Sequence, residues 1–258
     1  MNRLILVHGS VVGGRATWRE QRRSLAGRAD LVVLERPGFE AVSDPLPGPV
    51  SDFSRTHALH PAGRVDFEEH AVWVAERVEQ GDHLVGHSYG GVIALLAAAE
   101  LGDRLASLTV IEPPCTSVAL DVPAVAEFAA AGQRFWREGP RDDPEAFLRG
   151  FLANVGSDFV PPSPLPPALE VGARALIGER GPWEAEIPLA RLAELDLPTL
   201  VVSGAHHPAF DAICDRLERA LGAERLVIRD HGHNPQLDSR FTEALLDFVR
   251  RAEEIASD

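Results

Sequence analysis

One serine in this chain lies in a setting that could make it a nucleophile: Gly86-His87-Ser88-Tyr89-Gly90. The run ends an apolar stretch of strand length and opens the helical pattern Val92-Ile93-Ala94-Leu95-Leu96-Ala97. Glycines two residues before and after Ser88 suit a sharp strand-to-helix turn, where side chains would clash. Such a turn exposes the hydroxyl at the C-terminal edge of a sheet, beside the N–H groups that begin the helix. The chemistry implied is attack on a carbonyl carbon. A free serine is too weak for that without a base in hydrogen-bond reach. Asp230-His231-Gly232-His233-Asn234 offers two imidazoles between the last strand and the last helix. His233 is the expected base; His231 is its rival and reads as a solvent or loop-packing residue. The N–H of Tyr89, directly after the serine, is an expected donor to the charge that builds on the carbonyl oxygen.

Groups so far apart in sequence need a scaffold. Strands are expected at Leu4–His8, Leu31–Glu35, His83–His87, Leu108–Glu112, Thr199–Ser203 and Arg225–Arg229. Helices are expected at about Thr17–Leu25, Phe67–Gln80, Gly90–Leu101, Phe210–Leu221 and Arg240–Ile255. This alternation gives a parallel sheet wrapped by helices. Two regions break it. Gly38 to Arg64 is rich in Pro, Gly, Ser and Asp and reads as a surface excursion. Residues 113–197 are far longer than one crossover helix and hold amphipathic stretches at Val122–Arg137, Pro144–Val155 and Pro167–Ile177. They read as a helical cap on a core of residues 1–112 and 198–258, with the proline run 161–167 as a stiff connector.

His8-Gly9 after the first strand, Arg36-Pro37-Gly38-Phe39 after the second, the serine turn and Gly232-His233 near the end resemble the α/β-hydrolase superfamily, in the family's order. The resemblance implies an α/β-hydrolase fold with a helical cap. The family usually begins with an extra antiparallel strand pair, whereas this chain starts at the His-Gly strand, so about six strands, all parallel, are expected. It also implies a second oxyanion donor just after His8-Gly9, at Ser10, with Val11 as the alternative.

The third member of a triad is less plain. Many relatives carry an Asp about three residues beyond the glycine that here is Gly204, but that position holds His207, which cannot act as a carboxylate. Some relatives place the acid after the preceding strand, where this chain has Glu112; Asp211 is the alternative. The expected activity is hydrolysis of a small, largely apolar carboxylic ester by Ser88, His233 and Glu112. Lactone, thioester or carbon–carbon cleavage on the same residues, or a weakly catalytic ligand-binding role, are the alternatives. Phe135, Trp136 and Phe151 are candidate substrate contacts in the cap, among further aromatics there (Phe128, Phe147 and Phe159).

Composition narrows the partners. A formal net charge of -14 disfavours nucleic acid and anionic membrane surfaces. Leu4–Val7 is too short for a signal-peptide core, and no stretch approaches a membrane span. Only Cys115 and Cys214 are present, which suits a reducing cytoplasm without a disulfide framework. His206-His207 and His231-Gly232-His233 lack the spacing of a metal site, so neither a metal nor another cofactor is expected. The expected partner is a small-molecule substrate, with a homodimer left open.

Overall fold

Strands buried on both faces need apolar side chains at every position. Leu4 to Val7 satisfy this with no exposed surface. In the computed structural model, which describes residues 1–39 and 65–257, they belong to β1 (Arg3–Val7). The other strands are β2 (Asp30–Leu34), β3 (Asp82–His87), β4 (Leu105–Ile111), β5 (Thr199–Ser203) and β6 (Glu224–Val227). They form a six-stranded sheet in the order β2-β1-β3-β4-β5-β6, and every neighbouring pair is parallel. The expected sheet is therefore present. The order reverses direction between β1 and β3, and the crevice at such a point is where open α/β sheets place their sites.

The helices are α1 (Gly14–Thr17), α2 (Arg19–Ser24), α3 (Phe67–Ala75), α4 (Tyr89–Leu101), α5 (Pro123–Glu138), α6 (Pro144–Asn154), α7 (Pro167–Gly178), α8 (Leu189–Glu194), α9 (Pro208–Leu221) and α10 (Ser239–Ser257). Alternate strand residues feed two cores. Ile5, Val7, Leu84, Val110 and Val201 pack with α3, α4 and α9. Leu4, Leu6, Val85, Ile111 and Val202 pack with Trp18, Leu25 and the apolar stripe Phe241, Leu245, Phe248 and Val249 of α10.

The helix expected at Thr17–Leu25 starts earlier and is broken. Glu35 accepts the N–H groups of Gly14 and Arg15 at 2.7 and 2.9 Å, which begins α1, and the chain leaves helical geometry at Trp18. The expected Phe67–Gln80 helix stops at Ala75.

Between β4 and β5 lie α5 to α8, three of which begin with a proline whose missing N–H costs nothing there. Phe147, Leu148, Leu169, Ala173 and Leu176 form a third core that includes Val11 from the loop after β1. That core ties α6 and α7 to the sheet edge. Most of the expected excursion, residues 40–64, lies outside the described residues.

Gly90 marks a close approach of helix to sheet. A Cβ there would lie 2.4 Å from the His8 carbonyl oxygen and 2.5 Å from that of Val7. Because only backbone could yield, Gly90→Ala should lower the unfolding free energy by about 1–3 kcal/mol, the usual cost of overpacking. Urea denaturation checks this; an unshifted midpoint would show that the contact relaxes freely.

Candidate active site

The turn around Ser88 has the geometry its glycines suggested. Ser88 holds φ 54° and ψ -123°, a left-handed region that costs a non-glycine residue about 1–3 kcal/mol. Hydrogen bonds hold it there: the Ser88 N–H donates to the Ile111 carbonyl at 2.8 Å, and the Ser88 carbonyl accepts from Gly91 N at 2.8 Å. A Cβ on Gly86 would meet the Gly90 carbonyl oxygen at 2.3 Å. The hydroxyl is thus presented at the start of α4, whose first N–H groups have no helical acceptor.

His233 Nε2 lies 2.8 Å from Ser88 Oγ. The loop that carries it is fitted closely to the sheet: a Cβ on Gly204, just past β5, would sit 1.8 Å from the Gly232 carbonyl oxygen. His87 Nε2 contacts the His233 carbonyl at 2.9 Å. Burial, with His233 beside it, lowers the His87 pKa to about 3, so it is a neutral ring that donates to this carbonyl. His231 is turned away and pairs with Asp238 at 3.1 Å.

Glu112, with φ 50° and no exposed surface, ends the apolar run of β4. Its Oε1 accepts the Gly204 N–H. Its Oε2 lies 3.5 Å from His233 Nδ1 and 3.4 Å from His206 Nδ1. Burial would raise this carboxyl's pKa, but the hydrogen-bonding and charge of His206 and His233 prevail and hold it down at about 2. Asp211 instead accepts from Ser203 Oγ at 3.2 Å, and burial beside Glu112 raises its pKa. His207, at the position where many relatives have an acid, caps α9 by accepting the Ala209 N–H at 3.1 Å.

The loop after β1 lies against the serine. A Cβ on Gly9 would come within 2.9 Å of Ser88 Cβ. Val11 has φ 72°, and Val12 N donates back to the Ser10 carbonyl at 2.9 Å, a tight turn. Among the described residues, neither the Ser10 nor the Tyr89 N–H donates to a backbone carbonyl. The Ser10 hydroxyl donates to Glu179, which also pairs with Arg36 at 3.0 Å. Both partners of that pair are almost wholly buried, and burial raises the Glu179 pKa against the pull of Arg36. Arg36 in turn donates to the Gly9 carbonyl at 2.6 Å, so the pair grips this loop.

Two cavities meet at Ser88. One is apolar, lined by Phe128, Trp136, Phe151, Trp183 and Phe210, with Asn154 and Glu179 as polar members. The other is more open and runs past His233 between Leu148, Phe159, Arg19 and Leu237. Of the candidate substrate contacts, Trp136 and Phe151 line the first cavity and Phe151 also the second. Phe135 lines neither: its ring packs 4.7 Å from Phe147 and 5.8 Å from Trp136. Cys115 is fully buried, which pushes its thiol up to about 12.

Several site residues gave no signal in the sequence. His206 and Glu179 acquire meaning only from partners distant in the chain, Glu112 and Arg36. Glu112, His206 and His233 bring three ligand-type atoms within 4.8 Å, a group that could accept a cation. Their contacts are equally those of one carboxylate oxygen approached by two imidazoles at 3.4 and 3.5 Å.

The profile of the Alpha/beta hydrolase family matches residues 4–245, and the chain belongs to that family. It is 30% identical over 200 residues to the pimeloyl-[acyl-carrier protein] methyl ester esterase of Aeromonas hydrophila. That match covers 75% of this chain but 65% of the relative, less than two thirds of its length. Among solved structures, a thermophilic esterase from Thermogutta terrifontis superimposes with a TM-score of 0.59 at 22% identity, covering 98% of this chain and 90% of that one. NosK from Streptomyces actuosus gives 0.59 at 23% identity, covering 98% and 99%. The relatives it matches include esterases, and among the described residues no helix is long and apolar enough to cross a membrane.

Gly204→Ala should push the Gly232 carbonyl, and His233 with it, away from Ser88. A misplacement of about 1 Å can cost on the order of 100-fold in rate. Initial rates on a p-nitrophenyl ester, beside an unchanged circular dichroism spectrum, check this; full activity would show that the loop is not held by this contact.

Proposed function

We propose that this α/β-hydrolase cleaves a small, largely apolar carboxylic ester through Ser88, His233 and Glu112. The observation that carries the reading is the 2.8 Å contact between Ser88 Oγ and His233 Nε2, with Glu112 behind the same ring at 3.5 Å. The ester carbonyl docks with its oxygen toward the N–H groups of Ser10 and Tyr89. Ser88 Oγ attacks the carbonyl carbon while His233 Nε2 takes its proton. The imidazolium that forms is stabilised by Glu112, which its low pKa keeps ionised near neutral pH. His233 then gives the proton to the departing alkoxide, leaving an acyl-enzyme and a free alcohol. Water attacks the acyl carbon, His233 takes its proton, and Ser88 leaves carrying that proton back.

The apolar cavity suits one hydrocarbon part of the ester, against Trp136 and Phe151, with Phe135 supporting Trp136 from behind. The second cavity receives the other part. Residues 113–197 act as the cap that supplies most of the apolar cavity's walls and part of the second cavity's. An esterase relative favours ester over carbon–carbon cleavage.

Ser88→Ala should abolish both turnover of short-chain p-nitrophenyl esters and labelling by a fluorophosphonate probe; retained turnover would remove Ser88 from the mechanism. Glu112→Gln should slow wild-type turnover by roughly 100- to 10,000-fold, the range seen for triad carboxylates, and an unchanged rate would exclude it as the acid. Activity should survive dialysis against EDTA. Loss restored by a divalent cation would assign Glu112, His206 and His233 to a metal instead.

A further inference from the structure

The reaction as written leaves one close neighbour of Glu112 without a role. His206 Nδ1 is 3.4 Å from Glu112 Oε2, as near as His233 Nδ1 at 3.5 Å. Its other nitrogen, Nε2, lies 3.1 Å from the Val155 carbonyl oxygen. Both ring nitrogens therefore face oxygens that only accept, one a carboxylate and one a carbonyl. A neutral imidazole carries a single N–H and would turn a lone pair on one of them; an imidazolium donates to the Val155 carbonyl and sets its charge beside the carboxylate. The ring stacks on Phe210 with centroids 5.5 Å apart and planes 28° apart, which leaves it little freedom to turn.

We propose that His206 is a positioning residue that stands as an imidazolium in the resting enzyme, shares the Glu112 carboxylate with His233 and restrains the basicity of His233. The inference rests on the triad reading above. The titratable groups that act on His206 are Glu112, Asp211, His207 and His233. Burial disfavours its charge, but the Glu112 hydrogen bond and charge outweigh this and raise its pKa. His207 moves the other way, lowered by burial and by His206. Shared in this way, Oε2 makes two long contacts and no short one. Its negative charge is half matched before the reaction begins, and the His206 charge opposes protonation of His233, whose ring centroid is 5.6 Å away.

The test compares kcat/KM against pH for wild type and His206→Gln. Removing the cation should move the acid limb upward by about one pH unit, the low end for a charge at this range. A slower variant with an unmoved limb would make His206 a structural spacer and overturn the proposal. Carbon-13 histidine spectra of the wild-type protein provide a readout without substrate: the His206 ring should be cationic at neutral pH and titrate above the ordinary histidine value of about 6.5. A neutral ring at pH 7 overturns the proposal even if ester hydrolysis proceeds normally; a cationic ring together with a moved limb upholds it, and a failure of the triad reading shows separately, as turnover retained by Ser88→Ala.

Discussion

Everything about the site depends on a hydroxyl and an imidazole meeting at 2.8 Å from distant parts of the chain. The meeting is imposed by backbone packed on backbone. The β3–α4 turn touches β1 through Gly90, and the His233 loop touches β5 through Gly204. Neither contact tolerates a side chain, and neither involves one. The site's precision therefore comes from the sheet's own spacing and not from flexible groups adjusting to each other.

Burying Glu112 is the main electrostatic burden of this arrangement. An ionised carboxylate without exposed surface is costly unless hydrogen bonds and opposite charge surround it. Here a backbone N–H from Gly204 holds one oxygen and two imidazoles approach the other. The Arg36–Glu179 pair repeats the solution beneath the loop that bears Ser10, again with both charges nearly sealed from water. Two buried ionic centres thus flank Ser88, one behind His233, the proposed base, and one beneath the loop proposed as the oxyanion hole. Such centres are poor sources of net stability but leave few alternative arrangements for the groups they hold.

The strands were legible because a run such as Leu4-Ile5-Leu6-Val7 has no other stable place than a sheet covered on both sides. Glu112 stood out for the converse reason, as a charge terminating such a run. The serine turn was legible because steric exclusion leaves a glycine signature. What escaped were effects created by tertiary contact. The helix break at Trp18 follows from Glu35 capping α1, and the role of His206 from a carboxylate far away in sequence. Phe135 and Trp136 are adjacent in the chain, yet one helix turns Trp136 toward the cavity and Phe135 toward Phe147. Aromatic content could not separate them; only the rotation of α5 against α6 does.

The contact between Gly172 of α7 and the Val11 carbonyl has a bearing on how a molecule enters. A Cβ on Gly172 would lie 1.8 Å from that oxygen, so helix and loop ride on one another with nothing between them. Lifting α7 like a hinged door would release the turn at Val11 and loosen the neighbouring Ser10 at the moment of admission. Traffic that leaves this joint closed has to pass beside it, along the wider channel bounded by Arg19, Phe159 and Leu237. Val11 itself and Leu169 of α7 line that cavity, so the joint borders the space that reaches Ser88.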